Sequence, residues 1–388
     1  MLPYLLLVTI MLLATTHAGW TVPKRVFNKY GSMAVNVLNV YRDPTSSVNH
    51  VFYTAASQRY HQALLDDGTE LYKTAFNIEY HDAAILRGAG DGKRLFLVYN
   101  KHIPDMIMFV ESSDGGKSWS VPVNIIEESN EYRVLTDMLY VNGRLFVFFI
   151  HSVDEAHEDR STIEMISRAA NSTVFSQGKV IAKEAMWSPE GLVASYERQG
   201  KKTCLHVAYN SVVEKKSAIW YTRSVNNGAS WSKPREIKGT TGYWIKTMRN
   251  IDEHLYIVYS LASSSSHNTM MVRSANHGTT FSAPISFNMS NNAELATCTS
   301  KQYKRLATFH LVKEKEITYA LWNPATMSKV HEENYTTSDG KLYSTGIDCA
   351  VDETTGERKI PAFFSKNQGY ESSELYFTVN TENIAAAE

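Results

Sequence analysis

Two apolar runs, 106–110 and 121–126, flank a polar octapeptide, Ser112-Ser113-Asp114-Gly115-Gly116-Lys117-Ser118-Trp119. The flanks predict β-strands and the octapeptide their turn. Gly116 can take positive φ without a Cβ clash, and Asp114 and Ser112 can accept hydrogen bonds from the turn's own N–H groups. The arrangement recurs as Ser224-Val-Asn226-Asn-Gly228-Ala-Ser-Trp231 and as Ser274-Ala-Asn276-His-Gly278-Thr-Thr-Phe281, with weaker copies at 66–71 and 170–175. A second pattern is almost continuously apolar. It reads Val51-Phe-Tyr-Thr-Ala-Ala-Ser57, Arg94-Leu-Phe-Leu-Val-Tyr-Asn100, Arg144-Leu-Phe-Val-Phe-Phe-Ile150 and Leu205-His-Val-Ala-Tyr-Asn210. It continues as His254-Leu-Tyr-Ile-Val-Tyr-Ser260, Arg305-Leu-Ala-Thr-Phe-His310 and Lys359-Ile-Pro-Ala-Phe-Phe-Ser365. Runs of this kind predict strands buried on both faces. No amphipathic helix is predicted, and the serines at 263–266 read as a loop.

The turn glycines, with Ser172 as a surrogate, fall roughly every 50 residues, the period of a β-propeller blade. The expected fold is therefore all-β: a propeller of four-stranded antiparallel blades. The strand after each turn also repeats, as Trp119-Ser-Val-Pro122, Trp231-Ser-Lys-Pro234 and Phe281-Ser-Ala-Pro284, and it appears once more at Trp20-Thr-Val-Pro23 with no blade before it. Leu375-Tyr-Phe-Thr-Val379 reads as a third strand whose fourth is missing. The N-terminal strand is thus expected to complete the last blade, which closes the ring and pairs otherwise exposed edges. Seven apolar runs predict seven blades.

The chain has 388 residues, 43% hydrophobic and 20% charged, enough for one large core. Aromatic content is 11%, with 22 Tyr, which suits strands. A net charge of −1 gives no argument for a nucleic-acid or anionic-membrane partner. An apolar stretch at 4–13, followed by Thr16-His17-Ala18, predicts a secretory signal over 1–18, cut after Ala18, ahead of a single domain at 19–388. That stretch is shorter than the roughly 20 residues a membrane span needs. Sequons at Asn171, Asn288 and Asn334 fit a secreted glycoprotein. The cysteines number three, Cys204, Cys298 and Cys349; buried free thiols are expected, with a Cys298–Cys349 bridge as the alternative.

In a propeller the starts of the innermost strands converge at one mouth of the central channel. Here those stretches are Tyr80-His81-Asp82, Glu131-Tyr132-Arg133, Trp187-Ser188-Pro189-Glu190, Tyr243-Trp244-Ile245-Lys246, Asn291-Asn292-Ala293-Glu294 and Tyr343-Ser344-Thr345-Gly346-Ile347-Asp348. Aromatic faces stack on sugar rings, and carboxylates and amides bind sugar hydroxyls, so the mixture suits a carbohydrate. The candidate acids and nucleophiles are Asp82, Glu131, Tyr132, Glu190, Glu294 and Tyr343. The candidate binding residues are Tyr80, His81, Arg133, Trp187, Tyr243, Trp244, Lys246 and Asn292. Paired carboxylates about 5–10 Å apart can cleave a glycosidic bond. No metal or other cofactor is expected, since His81 and Asp82 lack partners at ligand spacing; a monomer is expected.

The Ser-x-Asp/Asn-x-Gly-x-x-Trp/Phe turn resembles the Asp box, or BNR repeat, of sialidases and related secreted propellers. In that family the box lies on the rim, away from the ligand. The resemblance implies a propeller acting on glycans, with six blades as the alternative count. It also implies three arginines for a substrate carboxylate, a Tyr nucleophile assisted by Glu, and an Asp acid/base. The family's Phe/Tyr-Arg-Ile-Pro motif is missing; the nearest echo, Tyr41-Arg42-Asp43-Pro44, follows an apolar strand instead of opening it. Arg133 stands at the mouth with Lys246 as a second cation, Arg87 lies further along an inner strand, and Arg223 and Arg273 precede boxes and should be peripheral. A secreted sialidase-like glycoside hydrolase with an atypical arginine set is therefore expected. A non-catalytic propeller binding glycan or protein is the alternative, and a structural or storage role the third.

Overall fold

The computed structural model describes residues 19–20, 24–30, 36–43, 48–55, 58–76, 86–101, 106–126, 131–153, 161–188, 191–199, 202–213, 216–240, 244–251, 254–261, 269–286, 293–299, 304–313, 316–323, 326, 328–336, 341–347, 350–351, 357–367 and 372–383. All regular structure among them is β-strand. None of the described residues forms a helix long and apolar enough to cross a membrane.

The strands form antiparallel meanders. One four-stranded sheet runs Asn36–Arg42, Asn49–Ala55, Gln58–Leu64, Glu70–Phe76, and the next Leu86–Gly90, Leu95–Lys101, Met106–Ser112, Val123–Asn124. Two more run from Trp244–Ile251 to Ile285–Ser286 and from Ala293–Thr299 to Lys329–Thr336. An eight-stranded sheet holds two meanders, Tyr132–Val141 to Lys179–Ala185 and Leu192–Gln199 to Arg235–Glu236, joined only where Ala185 pairs with Ser211. The last sheet orders Lys341–Ile347, Glu357–Asn367 and Ser372–Asn383. Lys24–Tyr30 adds to its outer edge, Lys24 opposite Phe377 and Lys29 opposite Ser373.

The apolar runs all fall on second strands, hydrogen-bonded along both edges. Where the side chains are described, as in Arg144–Ser152, both faces of such a strand are covered by neighbouring sheets. In Arg144–Ser152, Leu145, Val147 and Phe149 pack on Phe96 and Val98 of the preceding sheet. Phe146, Phe148 and Ile150 pack on Val207 and Tyr209 of the following one. Each such fully buried side chain contributes about 1.5–3 kcal/mol, which explains why polar residues are scarce there. The first strands lie side by side: Asn36–Arg42 touches Leu86–Gly90, which touches Tyr132–Val141, and so on to Lys341–Ile347, which touches Asn36–Arg42.

The repeated turns share one hydrogen-bond pattern. Ser112 Oγ accepts the Gly116 N–H at 2.7 Å, and Asp114 accepts the Ser118 N–H at 3.0 Å and its hydroxyl at 2.6 Å. Those bonds, the Ser118 hydroxyl foremost, hold the Asp114 carboxyl well below the usual carboxylate range. Ser224 and Ser274 accept the N–H groups of Gly228 and Gly278 at 2.9 and 2.8 Å, and Asn226 and Asn276 replace the aspartate. Each glycine rests on a third-strand side chain of the preceding sheet: Gly116 on His61, Gly228 on Met165, Gly278 on Tyr221. Gly68, in the weak copy at 66–71, rests in the same way on Phe377 from the last sheet, and on Lys24.

The runs after the turns are less regular than their apolar pattern suggests. In 121–126 only Val123–Asn124 joins the ladder. Pro122 has no N–H to offer; beyond the two paired residues Ile125 N–H still reaches the Ile107 carbonyl at 3.0 Å. At 170–175 the box pattern is not built; Ser172 Oγ accepts the Val174 N–H at 3.1 Å instead. Cys204 is a buried free thiol. The Cys298 side chain, Cys349 and residues 1–18 lie outside the described residues.

Candidate functional site

Three first strands carry a β-bulge close to their start, between Val37 and Asn39, Leu135 and Asp137, and Ile245 and Thr247, and a fourth shifts register between Leu342 and Thr345. Bulges bend a strand and re-aim its side chains, and they gather beside functional sites. The extra residues are Leu38, Thr136 and Lys246, and Thr136 donates its hydroxyl to the Phe148 carbonyl at 3.0 Å.

The most densely charged of these strand starts is that of Tyr132–Val141. Arg133 pairs with His151 and Phe149 with Glu164 across the ladder, so Arg133, His151 and Glu164 share one face. Arg133 Nη2 lies 3.0 Å from Glu131 Oε2, and His151 Nε2 lies 3.0 Å from the same oxygen. His151 Nδ1 is 2.6 Å from Glu164 Oε1. The imidazole thus bridges two carboxylates beside a guanidinium. Arg133 is 9% exposed, His151 14% and Glu164 15%, while Glu131 opens to solvent at 38%. The Glu164 hydrogen bond raises the His151 pKa above its ordinary value; Glu131 acts in the same sense, burial and Arg133 against it. Asn100 of the neighbouring sheet fixes the backbone, donating to the Arg133 carbonyl at 3.1 Å and accepting the Leu135 N–H at 2.6 Å.

From Arg133 and Glu164 a groove of about 880 Å³ runs between this face and the preceding sheet, walled by Phe109, Ile125, Phe149, Ile166 and Phe175. That volume falls within the range of small-ligand sites. At its far end Arg168 is structural, 2.6 Å from Glu111 and 4.4 Å above the Phe109 ring.

Of the candidates, Glu131 and Arg133 come together. Tyr132, one residue along the strand, projects from the opposite face, the face on which Val134 and Trp187 pack against Leu192. Lys246 is half-buried at its bulge. Trp244, Glu294 and Tyr343 lie in first strands, but their side chains are outside the described residues, as are Tyr80, His81, Asp82, Glu190, Tyr243 and Asn292 altogether. His151 and Glu164 carry the site with Glu131 and Arg133, and the sequence reading missed both. Their signal was local: His151 follows directly on an apolar run, and Glu164 breaks the alternation of Ile163-Glu164-Met165-Ile166.

The other arginines are committed elsewhere. Arg42 Nη1 is 2.6 Å from Asp66. Arg87 Nε is 3.9 Å from Asp137, which also accepts the Ala194 N–H at 2.8 Å. Burial pushes the Asp137 carboxyl up, against the pull of Arg87 and Arg249. Arg223 donates to the His277 carbonyl in the next turn. Among the described residues no three His, Cys, Asp or Glu side chains group as a metal site.

A family model described as a BNR repeat-like domain matches residues 104–316, more than half of the chain. No curated protein matches the chain in sequence. Among solved structures, a mutant of the NanB sialidase from Streptococcus pneumoniae is similar with a TM-score of 0.51 at 9% identity, over 87% of this chain and 84% of that one. The Hadza microbial sialidase Hz136 is similar with a TM-score of 0.48 at 9% identity, over 88% of this chain and 75% of that one.

Proposed function

The chain belongs to the BNR repeat-like domain family, and on that premise we propose that it is a member of the sialidase superfamily: a secreted, monomeric propeller acting on glycans as a sialidase-type glycoside hydrolase. The ring has seven blades, the N-terminal strand completing the seventh. The pairing of Lys24–Tyr30 with Ser372–Asn383, the contact of Lys341–Ile347 with Asn36–Arg42 and the seating of Gly68 on Phe377 support that closure.

One observation carries the functional reading: Glu131 and Glu164 flank His151 beside Arg133, at the start of an inner strand and the head of a groove. Two carboxylates separated by one imidazole stand at the order of spacing, about 5–10 Å, at which such pairs work on a glycosidic bond. Glu131, the more exposed, is placed to exchange a proton with a leaving-group oxygen. Arg133 offers the planar fork that suits an acidic sugar. Turnover of a fluorogenic sialoside, with a panel of aryl glycosides alongside, tests this. Glu131→Gln is expected to lower turnover by about 10²-fold or more; full activity in that variant refutes the assignment.

A second reading has its own support. Glu131 already occupies the Arg133 guanidinium, and Tyr132 leaves the strand on the other face, so this strand start does not bring Arg133 and Tyr132 together. On that reading the same mouth binds glycan without cleaving it. No turnover on any substrate, with glycan-array binding lost in Arg133→Lys, selects it.

A further inference from the structure

The Glu131–His151–Glu164 bridge also carries a control on ligand binding. We propose that His151 sets the charge of the mouth: as an imidazolium it donates Nδ1–H to Glu164 and holds Nε2 3.0 Å from Glu131 Oε2, and by releasing one proton to solvent it turns a balanced site into an anionic one. The inference rests on the reading of this mouth as the ligand site, and it names the regulation of that site.

The balance follows from the side chains present. With His151 protonated, two cations, Arg133 and His151, face two carboxylates, Glu131 and Glu164. With His151 neutral, one of its nitrogens becomes an acceptor and must face a carboxylate oxygen, and a negative charge is left over. No water shell can absorb the change freely, since His151 and Glu164 are 14% and 15% exposed. Other charged groups stand near this face. The Glu111–Arg168 pair in the groove is closed at 2.6 Å, Lys183 lies opposite Thr162 on the outer strand, and Lys101 ends the facing second strand. Burial and Arg133 favour the neutral ring; the hydrogen bond and charge of Glu164, with Glu131, outweigh them. The ring therefore stays charged to a higher pH than a free histidine.

Two functional consequences follow. An anionic ligand meets a neutral mouth on the acid side and a negative one on the alkaline side, so its affinity falls as pH rises, on the order of tenfold. A neutral sugar of the same size shows little change. His151 is a positioning residue in this scheme: Glu131 touches the ligand, and His151 decides how that carboxylate is oriented and balanced.

The test has two arms. NMR titration of the His151 ring in the free, full-length protein is expected to give a midpoint above about 6.5, moving down in Glu131→Gln and in Glu164→Gln. Glu131→Gln, at an exposed position, keeps the arm readable if Glu164→Gln does not fold. A midpoint at or below 6.5 in the native protein, or one unmoved by either folded variant, overturns the proposal whether or not any sugar binds. In the second arm sialyllactose and lactose are titrated calorimetrically at about pH 5.5 and about pH 8. Loss of sialyllactose affinity on the alkaline side, abolished in His151→Gln, is the expected result. The same pH dependence in His151→Gln overturns it. If sialyllactose binds at neither pH, the glycan reading fails and the first arm still decides the charge switch.

Discussion

Adding one methyl group at Gly116 is expected to strike the contact on which successive sheets are stacked. Gly116 has φ of 99°, outside the range that residues with a side chain adopt easily. A Cβ there would lie 2.2 Å from His61 Cε1, 2.8 Å from its Nδ1 and 2.9 Å from Leu95 Cδ1. His61 cannot yield. It is fully buried, stacked on Phe52 at 4.7 Å and edge-on to Trp119 at 5.6 Å. Its Nδ1 lies 3.2 Å from the Gly116 carbonyl and its Nε2 3.0 Å from His50 Nδ1. Facing a carbonyl, Nδ1 must carry the proton, and Nε2 then accepts from His50. Backbone strain contributes about 1–3 kcal/mol and overpacking about 1–3 kcal/mol, so Gly116→Ala should cost about 2–6 kcal/mol of a folding free energy near 5–15 kcal/mol. Gly143→Ala separates the two effects. Gly143 has φ of 69° with nothing within 4 Å of the added Cβ, so only strain remains, about 1 kcal/mol. Urea unfolding of both variants measures the difference. Equal losses at the two glycines would refute the idea that the box glycine is a packing device.

Three further outcomes follow from the same contacts. Burial lowers the His50 pKa to about 4 and holds that of His61 well below its ordinary value. The folded chain stays neutral there while the unfolded chain takes up protons below about 6.5, so stability should fall from pH 6.5 towards 4, by about 3 kcal/mol from His50 alone. His151 has the opposite sign, its contribution being lost as pH rises through its raised value. Thermal melts across this range should show the acid loss reduced in His50→Gln, and an unchanged slope contradicts the assignment. Asp66→Ala should destabilise by about 1–3 kcal/mol, because it removes the carboxylate 2.6 Å from the Arg42 guanidinium, a side chain 4% exposed that also donates to Asn49 Oδ1 at 2.6 Å; a loss under about 1 kcal/mol in denaturant contradicts that. In protein secreted from eukaryotic cells, Asn171 in its exposed turn should carry an N-glycan. Glycosidase release followed by mass spectrometry reads the occupancy, and a bare Asn171 counts against secretion through that pathway.

The strand pattern was legible because the physics behind it is local and repeated. A strand covered on both faces must be apolar throughout, and Phe146–Ile150 announces itself on that ground alone. The boxes were legible because Ser112, Asp114 and Gly116 satisfy their own turn's hydrogen bonds. The site was only half legible. Glu131 and Arg133 stand at a predictable strand start, but their partners His151 and Glu164 come from the second and third strands, and only register brings them together. The bulge at Thr136 shifts that register by one residue, and nothing in the sequence marks it. Pro122, conversely, was visible and still underweighted: it removes a donor just before an outer strand that is two residues long.

Closure of the ring fixes where the mouth lies, and a pair of engineered cysteines tests it most directly. Lys29 and Ser373 are opposite each other where the N-terminal strand joins the last sheet, a separation of about 4.5–5.5 Å between Cα atoms that a disulfide can span. Mild oxidation of the Lys29→Cys/Ser373→Cys protein should give a monomeric intramolecular crosslink, seen as a mobility shift on a non-reducing gel and absent in either single variant. A folded double variant that stays reduced, or that crosslinks only between molecules, would contradict the closed ring and the position of the site built on it.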